Sequence, residues 1–240
     1  MTLSLRQKLI IISLLFYWPA IFVLAHIPIP QLVYKAQVSD KTLHLVVYLI
    51  LVFLLWFAVS PDKKVNWGKA TVWLVFLIMA GYGGVDELLQ GYVGRSCDIK
   101  DFLANLVGVT GGLILFSFLT FWPALLAVTG ITIFCLTNLA RANLTELVPV
   151  TNAMFHLLAY AVFTMLWIRQ IHLLPSKMSM PKRLIIALAV PIGLLLVVKL
   201  FSVVSGRYFT VFDVIISGAG IAIAPVGYVF ICSKCSRRIH

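Results

Sequence analysis

Eight long apolar runs, at roughly residues 9–27, 43–60, 69–85, 102–120, 123–140, 153–168, 184–201 and 211–231, set the tightest limit on what this chain can fold into. A helical run of about 20 apolar residues matches the hydrocarbon thickness of a bilayer. Inside lipid each backbone amide must be paired within its own segment, which makes helices the expected state. With 62% hydrophobic and only 11% charged residues, against about 25% charged in an ordinary soluble domain, the composition excludes both a soluble globule and a disordered chain. The predicted fold is therefore an all-α polytopic transmembrane helix bundle of about eight spans. The run 9–27 is too long for a signal-peptide core and no small-residue cleavage site follows it, so it reads as the first span. At Phe121-Trp122-Pro123 no charge separates two runs. A tight turn is predicted there because proline breaks a helix interior, and one long kinked helix is the alternative.

Charge orients the bundle. The 19 Lys and Arg against 8 Asp and Glu give a net +11, which in a soluble chain would suggest nucleic acid and in this one reflects the positive-inside asymmetry. If the N-terminus, the loops near 61–69 and 169–183, the Phe121 turn and the C-terminus share one side, that side holds twelve basic residues and a single acid, Asp62. The other side holds seven of each. Both termini are accordingly expected in the cytoplasm, with 232–240 a basic cytoplasmic tail. Membrane lipid and other membrane proteins are the expected partners, and nucleic acid is not.

Polar residues recur at an offset of 112: His44 and His156, Tyr48 and Tyr160, Gly94 and Gly206, Arg95 and Arg207, Asp101 and Asp213, Gly108 and Gly220. The expected organisation is two four-helix repeats, 8–120 and 121–231. An even number of spans in each relates them by an axis near the membrane normal.

Ionisable residues at membrane depth are costly, so a cluster of them marks a site. Asp40, His44 and Tyr48 recur every four residues and share one helix face. Asp86, Glu87 and Gln90 close the third run, while Asp101, Asn105 and Gly108 follow at i, i+4 and i+7. Arg95 and Asp98 lie in the connecting loop. Arg95 with Lys41 would hold a phosphate or carboxylate, and Asp86, Glu87, Asp98 and Asp101 would position a proton or a divalent cation. His44 is the acid/base candidate, because it alone titrates near neutrality unaided.

Plainer roles compete for the same residues. Ser39 or Asp40 could cap one helix, and Asp98 with Asp101 another. His44 and His156 could be interior histidines bonded across helices, Arg95 and Asp98 a loop ion pair, and Gly108, Gly111 and Gly112 close-packing positions. Cys97, Cys135, Cys232 and Cys235 are too few for a disulfide framework. The Cys232/Cys235 spacing lacks a second ligand pair, and no metal ligands or cofactor are assigned from the sequence.

The ordered set Asp40-Lys41-Thr42-Leu43-His44 with Tyr48, then Asp86-Glu87-Leu88-Leu89-Gln90, then Gly94-Arg95-Ser96-Cys97-Asp98-Ile99-Lys100-Asp101 with Asn105 and Gly108, resembles the VanZ-like family of bacterial membrane proteins. The family takes its name from a factor in glycopeptide-antibiotic resistance. The resemblance covers about residues 8–120 and implies a cell-envelope role in the bacterial cytoplasmic membrane. In the second half Asn152, Lys199 and Thr210 stand where Asp40, Glu87 and Asp98 do in the first, so it reads as a degenerate copy and the site is expected in the first.

The functional expectation is an envelope protein that binds or processes an anionic lipid-linked or glycopeptide-related ligand at the outer leaflet. His44, Glu87 and Asp101 are the catalytic candidates. Asp40, Lys41, Tyr48, Asp86, Gln90, Arg95, Asp98 and Asn105 are the binding candidates. The alternative is a non-catalytic accessory subunit of a larger membrane complex. A transporter would need a charge near mid-span, and Lys199 stands close to the end of its run. His44 and His156 as a haem or pigment pair would need a second signature.

Overall fold

The computed structural model describes residues 3–27, 31–94, 97–171 and 180–236, with side chains described throughout except at 32–34, 180–184 and 226–236. Arg95 and the side chains of Cys232 and Cys235 lie outside these described residues, as does much of the basic tail. Among the described residues the chain forms ten helices and no strand: α1 (Leu5–His26), α2 (Gln31–Ala36), α3 (Asp40–Val59), α4 (Ala70–Tyr92), α5 (Ile99–Phe118), α6 (Phe121–Thr137), α7 (Leu144–Leu147), α8 (Pro149–Ile171), α9 (Met180–Val204) and α10 (Val211–Ser236). The all-α membrane bundle is thus the observed class. Helices α1, α3, α4, α5, α8 and the Ile185–Val204 part of α9 are long and apolar enough to cross a bilayer, whereas α6 and the Val211–Pro225 part of α10 are shorter apolar helices.

Several helices outrun the apolar stretches that predict them. α3 starts at Asp40, α4 continues to Tyr92 and α5 starts at Ile99, because the polar residues at these ends turn inward to one another and need no loop to reach water. The predicted turn at Phe121-Trp122-Pro123 lies slightly earlier, at Leu119 and Thr120, between α5 and α6. Pro123 then occupies the first turn of α6, where a missing amide proton leaves no bond unmade.

Two compact units divide the chain: Met1–Tyr34 with Ser39–Val128, and Lys35–Val38 with Thr129–His240. The first unit packs α3 tightly on α5. A Cβ on Gly108 would fall 2.5 Å from the Leu45 carbonyl oxygen, and one on Gly112 would fall 2.6 Å from Val52 Cγ1. Gly111, expected as a further close-packing position, faces open space, since it lies about 100° around the helix from Gly112 and about 60° from Gly108. At the Val59 end of α3, Phe53, Phe57, Phe116 and Phe121 interlock with ring centroids 5.0 to 5.7 Å apart. Arg6 pairs with Asp62 at that end and stacks its guanidinium over Phe121.

The second unit packs α8 on α10. A Cβ on Gly220 would fall 2.4 Å from the Leu157 carbonyl oxygen. Trp167 Nε1 ties α8 to α9 through the Ile186 carbonyl at 2.8 Å.

Candidate functional site

At the Asp40 end of unit 1 the helices bring together polar side chains that the sequence spreads over 66 positions, Asp40 to Asn105. His44, Asp86, Glu87, Gln90, Asp101 and Asn105 are all buried, between 1% and 8% exposed. On α4 this inverts the usual pattern: Val85 and Leu88 face outward while Asp86, Glu87 and Gln90 face in. Such a helix suits a lipid surround, where the apolar face is the outer one.

His44 lies at the centre. Its Nδ1 donates to the Asn105 carboxamide oxygen at 3.0 Å and lies 3.7 Å from Glu87 Oε1, while Nε2 lies 3.8 Å from Asp40 Oδ1. Gln90 Nε2 donates to Asp86 Oδ2 at 3.1 Å. Neither carboxylate oxygen of Glu87 closes a hydrogen bond, although the Asp98 amide faces it.

Lys41 and Asp98 form the rim. Lys41 Nζ lies 3.4 Å from Asp98 Oδ2 and 3.5 Å from Asp101 Oδ1, so this cation is engaged by two acids. Asp98 also caps α5, accepting from the Lys100 amide at 2.9 Å. That bond first, and the Lys41 ammonium after it, hold the Asp98 carboxyl below the usual carboxylate range. Ser39 stands at the α3 cap without a side-chain cap bond, its hydroxyl accepting instead from Thr42.

A cavity of about 150 Å³ opens beside the cluster, between α1, α3 and α4. Ile21, Leu24, Leu43 and Val47 form apolar walls, and Asp40, His44, Tyr48, Asp86 and Gln90 form its polar part. The sequence reading missed two contributors. His26, at the end of α1, donates from Nδ1 to the Phe22 carbonyl and turns Nε2 toward Asp86 at 3.9 Å. Tyr82 lines the cavity and packs against Tyr48, with ring centroids 5.9 Å apart. Its position four residues before Asp86 carried the signal, because that spacing places both on one face of α4.

Thus Asp40, Lys41, His44, Tyr48, Asp86, Glu87, Gln90, Asp98, Asp101 and Asn105 gather at one end of unit 1. Arg95 lies outside the described residues.

Unit 2 has a polar cluster of another kind. Asp213 accepts from Asn152 Nδ2 at 2.6 Å, from the Thr210 amide at 2.7 Å and hydroxyl at 2.8 Å, and from Thr145 Oγ1 at 3.1 Å, with His156 Nε2 3.9 Å away. Lys199 donates to the Phe209 carbonyl and covers the Phe209 ring. Asp213 is thus surrounded by donors, and Lys199 is committed to backbone.

No curated protein and no solved structure matches the chain. Residues 7–121 match the family model described as VanZ/LLP1, a range that takes in α1 and α3 to α5 and every polar side chain gathered around His44. The part of this membrane protein that builds the candidate site is therefore a VanZ-like unit.

Proposed function

We propose that this protein is a multi-pass protein of the bacterial cytoplasmic membrane that binds or processes an amphiphilic, anionic lipid-linked or glycopeptide-related ligand at the outer leaflet. One observation carries the reading: the cavity of unit 1 joins apolar walls from α1 and α3 to a buried polar end at His44, Asp86 and Gln90. A molecule with a hydrocarbon part and a polar head matches such a site, whereas a wholly polar solute would leave the walls dry.

Within this reading His44 exchanges a proton with the ligand, with Glu87 and Asp101 as further catalytic candidates and Arg95 as the anion partner from the loop. Lys41 contributes by neutralising Asp98 and Asp101, the acids that would otherwise repel an anion. The charge split of the loops supports eight spans with both termini in the cytoplasm. A role in glycopeptide-antibiotic resistance follows only from the family's name.

Residues 8–120 and 121–231 are read as tandem parallel repeats. The tight approach of Gly108 to Leu45 and of Gly220 to Leu157 supports this, as do the positive φ of Gly94 (81°) and Gly206 (60°). The second copy lacks the acids matching Asp40, Glu87 and Asp98, and Asp213, which matches Asp101, is bonded by its own neighbours.

The test is to purify the chain in mild detergent without added ligand and identify the retained lipids by mass spectrometry. Wild type should retain an anionic lipid above its membrane abundance, and Val47→Phe, which fills the cavity, should lose it. Equal lipid profiles for the two proteins would reject the reading.

A further inference from the structure

His44, Asp86 and Glu87 each offer a ligating atom, and the three atoms lie within 4.8 Å of one another. All three residues are buried, with Glu87 3% exposed. A carboxylate so far from water needs an opposite charge or a full set of donors. The other buried acids are better served: Asp101 has the Lys41 ammonium 3.5 Å away, Asp86 accepts from Gln90 on one oxygen, and Asp213 accepts from Asn152, Thr145 and Thr210. Glu87 differs in that both of its oxygens are buried without a hydrogen bond, where Asp86 and Asp101 leave one each, and its nearest cationic group among the described residues is the His44 imidazole at 3.7 Å.

A second group of possible ligands, Asp40, His44 and Asp101, shares His44. It is the weaker choice, because Lys41 already sits on Asp101 and Asp40 is only partly buried. Among the described residues unit 2 shows no equivalent group, and the positions 112 residues after Asp86 and Glu87 are Val198 and Lys199.

We infer that His44, Asp86 and Glu87 bind a divalent transition-type cation within unit 1. One imidazole and two carboxylates neutralise a double charge, and the mixed nitrogen and oxygen donors suit Mn2+ or Zn2+ better than Ca2+. With Nδ1 donating to Asn105, His44 would ligate through Nε2, and Asn105 on His44 and Gln90 on Asp86 are the outer partners that fix ligand orientation at such a centre. Three protein ligands leave coordination positions for an external oxygen. The inference goes beyond the lipid reading and changes the role of His44, which as a ligand would hold the cation instead of exchanging a proton.

The experiment uses the full chain in detergent, stripped with chelator and titrated with Mn2+ alone, with free Mn2+ followed by electron paramagnetic resonance. Wild type should bind one Mn2+ per chain and unfold at a higher temperature with it, since a ligand of the native state stabilises that state. Glu87→Gln and Asp86→Asn should each bind at least about 10-fold more weakly and lose the thermal shift, while Asp62→Asn at the opposite end should match wild type. If Glu87→Gln does not fold, Asp86→Asn and His44→Gln carry the same comparison. Wild type that takes up neither Mn2+ nor competing Zn2+ overturns the inference, and so do cluster variants that bind like wild type. A Glu87 neutralised by a proton or by Arg95 predicts the first of these failures. Lipid retention is not measured, so either idea can fail without the other.

Discussion

Gly108 and Leu45 stand so close that a single added methyl on Gly108 would lie 2.5 Å from the Leu45 carbonyl oxygen. Backbone cannot yield as a flexible side chain can, so α5 would have to move off α3. Gly108→Ala should cost about 1–3 kcal/mol, the range for overpacking a core, seen as a lower unfolding temperature in detergent. Gly111→Ala, which meets open space, should be neutral or stabilising by up to about 1 kcal/mol. Equal losses for both variants would mean that the close approach is not what limits stability.

Asp213 and its donors give a second expectation. Removing the 2.6 Å bond with Asn152→Ala should destabilise the fold by about 1–3 kcal/mol, the usual cost of unpairing a buried polar group. Asp213→Asn should act through the same bonds, so the double variant should cost less than the two losses added together. Additive losses by thermal unfolding would uncouple the two residues.

Asp98 adds a pH dependence. Its carboxyl titrates below its ordinary range in the folded protein, so its contribution is complete above the unfolded carboxylate range, about pH 4, and fades as pH falls through the lower folded value. Unfolding temperature measured between pH 3 and 7 should drop at the acid end in wild type. Asp98→Ala should lower the plateau and flatten that drop. An unchanged acid limb in the variant would remove Asp98 as a contributor.

The native cysteines test orientation. Cys97 is exposed at the polar-cluster end of unit 1, so a membrane-impermeant maleimide applied to intact cells should label it, and Cys97→Ser should abolish that signal. Cys232 and Cys235, within the basic tail, should react only after lysis. The reverse pattern would invert the proposed topology.

The helices were legible because an apolar run long enough for a bilayer leaves a chain few other options. Their ends were not, since a buried acid such as Asp86 and a loop acid look alike in one dimension. The candidate site was legible where spacing puts residues on one face, as with Asp40, His44 and Tyr48. His26 escaped because a lone histidine at the end of α1 has no periodic partner, and only the packing of α1 near α4 brings it to Asp86. Which acid lacks hydrogen bonds was hidden altogether, because that depends on the neighbours supplied by other helices.

The inverted face of α4 has a consequence for its rotational register. One residue of slip turns a helix by about 100°. Such a turn would bring Leu88 toward His44 and carry Glu87 toward the lipid side near the end of α4, where an acid costs less than the roughly 3 kcal/mol it would at the helix centre but still opposes the slip. The bilayer therefore acts as a detent on α4 from outside while the polar cluster grips it from within. An insertion of a single alanine between Ala70 and Asp86 would set the two against each other.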